Sequence, residues 1–159
     1  MKFTIVAIGK IKEVYLRTGI DEFTKRLRPF GGVRFVELME AKLGAKPSQA
    51  ERQQAVVKEN EALLKRVPLG AHVVVLDVYG QNLSSEDLSK YIDKTALSGV
   101  GEMYFIIGGA YGITDTLRRR ANLCLSFSKM TFTHQMVRLL LVEQLYRSCK
   151  ISHNEPYHW

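Results

Sequence analysis

The six residues His72–Asp77, HVVVLD, constrain the fold more than any other stretch of the chain. They are apolar and β-branched almost throughout, with no alternation between two faces. A strand of this kind has to be covered on both sides, which is the condition of a central strand in a parallel sheet. Four further segments read as strands: Phe3–Ile8, closed by Gly9; Val33–Leu38, after the Gly31-Gly32 turn; Met103–Ile107; and Leu123–Phe127. Helical segments separate them. Val14, Ile20, Phe23 and Leu27 recur at near-helical spacing up to Pro29. Ser48 and Glu51 form a capping box for a helix to about Arg66. Ser84 and Asp87 open another to Ser98, with Gly99 as its stop. Thr114 begins a short basic helix, and His134–Lys150 is the last. Tyr79–Leu83 reads as a loop. The alternation predicts an α/β fold, a mainly parallel sheet with flanking helices. No repeat or linker divides the chain, so residues 1–159 are expected to form one domain.

Charge and cysteine content narrow the function. The net charge is +7, unevenly spread: residues 71–116 carry −4 and residues 117–159 carry +5. A basic final third suggests a polyanion such as RNA as partner. Cys124 and Cys149 are not spaced as a framework and read as reduced thiols. His153 and His158 alone have ligand-like spacing, and both fall on a predicted loop, so no metal is expected. No apolar run reaches the roughly 18 residues of a membrane span. Phe3–Ile8 is too short for a signal-peptide core, so a cytoplasmic location without membrane attachment is expected.

Three strand ends carry the candidate chemistry. Ile107-Gly108-Gly109-Ala110-Tyr111-Gly112 follows one strand and precedes a helix, where bare α-carbons let backbone approach a ligand. Its spacing is not that of a dinucleotide fingerprint, and it has no Walker lysine. Asp77 ends HVVVLD, as a pocket residue or a turn cap. Phe127–Phe132, FSKMTF, mixes polar turns with apolar side chains that suit an adenine and a thioether. Ligands of α/β proteins bind at such strand ends. In the last helix, Leu139–Val142 are four consecutive apolar residues, covering more than one helix face. That run predicts burial on two sides, by the sheet and by a second copy of the chain. Arg118–Arg120 read as a solvated face or a phosphate contact, and His134 as a helix cap.

The combination of IIGGAYG, LSFSKMTF-x-HQMVR, LLVEQLYR and the terminal PYH resembles the small SPOUT methyltransferases of the RlmH type, and the likeness runs from the KFTIVAIGKIKE start to the tail. Such enzymes methylate N3 of a pseudouridine in 23S ribosomal RNA. The resemblance implies a C-terminal trefoil knot, a homodimer, no metal, and S-adenosyl-L-methionine (SAM) as cofactor. It implies that SAM is held by Leu76, by Gly108, Gly109 and Gly112, and by Phe127, Ser128, Lys129, Met130, Thr131 and Phe132. The partner it implies is 23S rRNA in the ribosome. Two departures stand out. Thr133 replaces a usual proline, which is expected to loosen the start of the last helix, and Trp159 replaces a usual basic residue.

The N3–H proton of the acceptor base must be removed or its anion stabilised, so a general base and a cation are wanted. The candidates are His158, with His153 behind it, as base; Tyr157 to hydrogen-bond or stack on the base; and Arg147 to stabilise charge on a uracil carbonyl. Two other readings remain open at this point. One is a non-enzymatic ribosome-binding protein with a vestigial cofactor pocket. The other is a phosphate-handling α/β enzyme built on the glycine loop.

Overall fold

The computed structural model describes residues 1–157. Five strands form one sheet: β1 (Lys2–Ile8), β2 (Val33–Leu38), β3 (His72–Asn82), β4 (Glu102–Ile107) and β5 (Leu123–Ser126). Their order is β2-β1-β4-β3-β5, and every neighbouring pair is parallel. Helices α1 (Val14–Leu27), α2 (Gln49–Lys65), α3 (Ser85–Leu97), α4 (Asp115–Arg120) and α5 (His134–Ser152) flank it. A single 3₁₀ turn, Arg28–Phe30, follows α1.

The sheet has two apolar faces. Phe3, Ile5, Val74, Met103 and Phe105 pack with α1, α3 and α5 through Ile20, Leu88, Ile92, Leu141, Val142 and Leu145. On the other side Val6, Ile8, Val73, Val75, Tyr104 and Ile106 meet α2 and α4 through Leu63 and Leu117. Alternate residues of each strand face opposite layers, so near-continuous apolar strands are what this three-layer arrangement requires.

The helix starts are written locally. Ser48 accepts from the Glu51 N–H while the Glu51 carboxylate accepts from the Ser48 N–H, a complete capping box. Ser84 and Thr114 cap α3 and α4 through their hydroxyl oxygens. Thr133 does the same for α5, accepting from the Met136 N–H at 3.2 Å. It therefore ties down the helix start that it was expected to loosen. A hydroxyl supplies the acceptor that the free amides of a first turn need.

Two other expectations change. β3 does not stop at Asp77; it continues to Asn82 through an irregularity between Leu76 and Gln81 and pairs again with β5. This extension is largely exposed, Val78 and Tyr79 included, and is held by backbone bonding rather than burial. The Leu139–Val142 run is covered within the chain except at Leu140, which stays partly exposed. Leu141 and Val142 lie in the core, and Leu139 packs over Gly19 of α1. The sheet, α1 and α3 thus cover three of the run's four residues.

Candidate functional site

The C-terminal ends of β3, β4 and β5 and the start of α5 enclose a cavity of about 910 Å³. The loop after β4 contributes Gly108–Ile113, the loop after β5 contributes Phe127, Ser128 and Met130–Thr133, and α5 adds His134, Gln135 and Val137. Leu76, Ile107, Leu125 and Phe127 give an apolar floor, with loop backbone groups around it. The size is that of a pocket for a nucleoside-sized ligand. Of the residues expected to hold a cofactor, Leu76, Gly108, Gly109, Gly112, Phe127, Ser128, Met130, Thr131 and Phe132 all line this cavity. Lys129 does not; it is exposed on the same loop and stands outside the wall.

The glycine loop is a tight turn, with Gly112 N–H donating to Gly109 O at 3.2 Å and Gly112 at φ 99°. A Cβ on Gly108 would come within 2.8 Å of Ile113 Cγ2 and 3.0 Å of Gly112 O. The bare α-carbon at Gly108 is thus required first by the loop's own closure. Asp77 reaches the pocket wall. Its Oδ1 accepts from the Tyr79 N–H at 3.2 Å, and its Oδ2 accepts from Arg118 Nε at 2.7 Å. It is thus both turn cap and pocket residue, and the hydrogen bond to it is the main reason that Arg118 holds its proton more tightly than usual.

Most of the cations in residues 117–159 are committed inside the chain. Arg118 pairs with Asp77 and Asp115. Arg120 donates to the carbonyls of Pro68, Leu69 and Ala71, far from the pocket. Arg138 is fully buried and donates to Ile8 O, Gly9 O and Glu37. Arg147 pairs with Glu143 and Lys150 with Glu155. The +5 of this region therefore does not form one open basic face. Near the pocket mouth the exposed cations are Lys129 on the loop after β5, Lys10, Lys12 and Arg17 after β1, and Arg52 beside Tyr111.

Of the predicted catalytic residues, Arg147 and Tyr157 do not line the cavity. Arg147 lies more than three turns beyond Gln135 on α5, about 18 Å by helical rise. There it pairs with Glu143 and sits 5.0 Å from the Tyr157 ring centroid. Tyr157 donates to Glu143 Oε1 at 3.0 Å and packs edge-on against Tyr146. Partial burial, then this bond to Glu143, pushes the Tyr157 hydroxyl pKa up. His153 packs edge-on against Phe30, and its Nδ1 bonds back to Cys149 O. His158 and Trp159 lie outside the described residues. Glu143 was missed, although its i,i+4 spacing to Arg147 in VEQLYR is a readable pairing signal. His134 is the first residue of α5, not its cap. Its ring lines the cavity with Nε2 3.7 Å from Glu40, and burial lowers its pKa.

Among the described residues no three His, Cys, Asp or Glu side chains are grouped to hold a metal ion, and no helix is long and apolar enough to cross a membrane.

A parallel α/β sheet with a nucleoside-sized cavity at its C-terminal edge defines the general class, and the relatives make it specific. Residues 1–158 match the family model described as "Predicted SPOUT methyltransferase", and the chain belongs to that family of methyltransferases. It is 44% identical over 159 residues to the ribosomal RNA large subunit methyltransferase H of Natranaerobius thermophilus, spanning all of both chains. To the protein of the same name from Halothermothrix orenii it is 48% identical over 158 residues, 99% of each. Its backbone resembles a solved methylase family protein from Haemophilus influenzae Rd KW20 (TM-score 0.52, 8% identity), covering 99% of this chain and 70% of that one. That last likeness is one of fold alone.

Proposed function

We propose that this chain is a SAM-dependent methyltransferase acting on N3 of a pseudouridine in the 23S ribosomal RNA of the large subunit, working as a cytoplasmic homodimer of one-domain subunits on the assembled ribosome. The observation that carries the reading is the convergence of Leu76, the Gly108–Gly112 turn and the Phe127–Phe132 loop on one cavity. The full-length relatives named as large-subunit rRNA methyltransferases supply the substrate class.

The cavity suits SAM in chemistry as well as size. Its apolar floor accepts an adenine and a thioether-like chain, and loop backbone groups are available to a nucleoside's polar edges. Bound there, the cofactor supplies an activated methyl group. The protein's part is then alignment and control of a proton. The two glycine-rich and Ser/Thr-rich loops hold the donor. The Asp77–Arg118 pair stiffens the wall between β3 and α4. Arg147 is placed to stabilise negative charge on the acceptor base, and Tyr157 to orient it through the Glu143 cluster. His158 is proposed to take the N3 proton.

These two sets of groups are separated along α5, so we assign them to different copies: the tail of one subunit completes the pocket of its partner. Exposed apolar side chains at the cavity rim, Val14, Tyr15, Met130 and Phe132, give the partner a surface to cover. A C-terminal knot, with α5 threaded behind the strand-end loops, is part of the same proposal. With the final third's cations largely committed, RNA phosphates are met by Lys10, Lys12, Arg17 and Arg52 near the mouth.

The test is transfer of labelled methyl from SAM to ribosomes that lack the modification, followed by mass mapping of 23S RNA. One methyl on a single pseudouridine is expected. SAM binding without transfer to any ribosomal RNA would leave a cofactor-binding protein and remove the enzyme.

A further inference from the structure

Helix α2 belongs to an outer layer, yet it buries two consecutive polar residues beneath the pocket loops. Glu59 is 6% exposed and Asn60 is 1% exposed. Buried polar side chains persist where their hydrogen bonds are met, so their partners show what they do. Asn60 Nδ2 donates to Val56 O at 2.8 Å and to Gly112 O at 3.4 Å, while Asn60 Oδ1 accepts from the Thr114 N–H at 2.9 Å. The Glu59 carboxylate accepts from the Ala41 N–H at 3.2 Å. Its Oε1 also stands 2.8 Å from the point where Gly109 would carry a Cβ.

These contacts reach both ends of the glycine turn and the element beyond it. Gly109 and Gly112 line the cavity; Glu59 and Asn60 do not. Thr114 caps α4, and α4 carries Arg118 to Asp77 on another wall of the same cavity. One amide side chain therefore ties the exit of the cofactor turn to the helix that sets the Asp77–Arg118 pair.

We propose that Glu59 and Asn60 are positioning residues for cofactor binding: Glu59 sets the height of Gly109 from below, and Asn60 locks the turn's exit to the start of α4. The inference rests on the reading of the cavity as a SAM site. Without Asn60, the left-handed Gly112 is held only by the turn's internal bond, and the turn samples forms that do not match the ligand. Affinity then falls because the binding-competent form is less populated. Once SAM is bound the reacting groups are unchanged, so the loss appears in binding and not in turnover.

The experiment measures SAM affinity by calorimetry, thermal unfolding, and methyl transfer to ribosomes for Asn60→Ala, Asn60→Asp, Glu59→Gln and Arg120→Ala. Asn60→Ala should weaken SAM binding about tenfold, the scale of one or two lost net hydrogen bonds. Its KM for SAM should rise with it, while kcat at saturating SAM stays within about twofold. Asn60→Asp keeps the acceptor for Thr114 but loses the donor to Gly112, so its affinity should fall by less. It serves in place of Asn60→Ala if that variant does not fold. Glutamine keeps the length of Glu59 and an oxygen to accept from the Ala41 N–H, so Glu59→Gln should bind nearly as the wild type does. Arg120→Ala removes bonds at the opposite end of the sheet and should lower thermal stability with SAM affinity intact. Wild-type affinity in both Asn60 variants, with only stability reduced, would overturn the positioning role. A wild-type protein that does not bind SAM would overturn the functional reading together with this one.

Discussion

The two ends of helix α5 use the same residue types to opposite purposes. At the first end, Thr133 caps the helix, Gln135 accepts from the Lys12 N–H at 3.0 Å, and Arg138 is fully buried. Its guanidinium donates to Ile8 O at 2.6 Å, to Gly9 O at 2.7 Å and to Glu37 at 2.9 Å. Burial lowers its pKa, and the Glu37 carboxylate opposes that shift. Nine residues on, Arg147 is half-buried, pairs with Glu143 and lies over Tyr157. The first end is finished within one chain: its polar groups close the fold and the pocket wall. The second gathers an acid, a cation and a phenol outside the pocket lining. Two arginines of one helix thus differ: Arg138 is locked into the fold, and Arg147 is held by a partly exposed carboxylate. Both pair with a carboxylate; complete burial and two added backbone carbonyls set Arg138 apart.

The sharpest way to break this contrast is to remove Pro156–Trp159. Cofactor affinity should survive and methyl transfer should fall by ~10²–10⁴-fold, the range of a positioned acid–base group; equal turnover would make the second end idle. Next in size is complementation. Gly108→Val disables the pocket, and the truncation disables the tail. If the two ends meet across copies, mixing these inactive proteins should restore on the order of a quarter of the wild-type rate through hybrid dimers. No recovery in verified hybrids would place both ends in one subunit.

Stability should divide the arginines. Arg138→Ala leaves two carbonyls and Glu37 unpaired and should cost ~3–5 kcal/mol in denaturant unfolding. Arg147→Ala should cost about 1 kcal/mol or less, as a surface pair does. Equal costs would erase the distinction. The smallest effect concerns Cys149, whose thiol burial pushes up to about 11. The unfolded chain releases this proton first, so the contribution to stability is present below pH 9.0 and is lost as pH rises toward about 11. Cys149→Ala should unfold with a shallower pH dependence across that window.

The strands were legible because burial on both faces leaves continuous apolar runs, as in Phe3–Ile8 and Val73–Val75. The caps were legible because Ser48 and Glu51 act within one turn. The extension of β3 to Asn82 was not, since its exposed residues are held by backbone pairing with β5 and bury no continuous apolar run. Three pocket segments could be found at strand ends, because parallel topology sends those ends to one edge. The fate of the arginines could not. Arg118, Arg120 and Arg138 look alike in sequence, and their partners lie 41, 49 and 130 residues away. Glu59 and Asn60 were hidden for the same reason, inside a segment that reads as an ordinary charged helix.

The clasp between Arg138 and the end of β1 has a bearing on how the chain is born. β1 lies inside the sheet, yet its last carbonyls are claimed by a side chain that leaves the ribosome 130 residues later. At typical synthesis rates that is an interval of about 7–26 s. During it, the first-made strand has an apolar face and open backbone groups, the profile of a segment that needs guarding against misassociation. A nascent chain halted before α5 should therefore remain a client of holding chaperones, and completion of the last helix should act as its release.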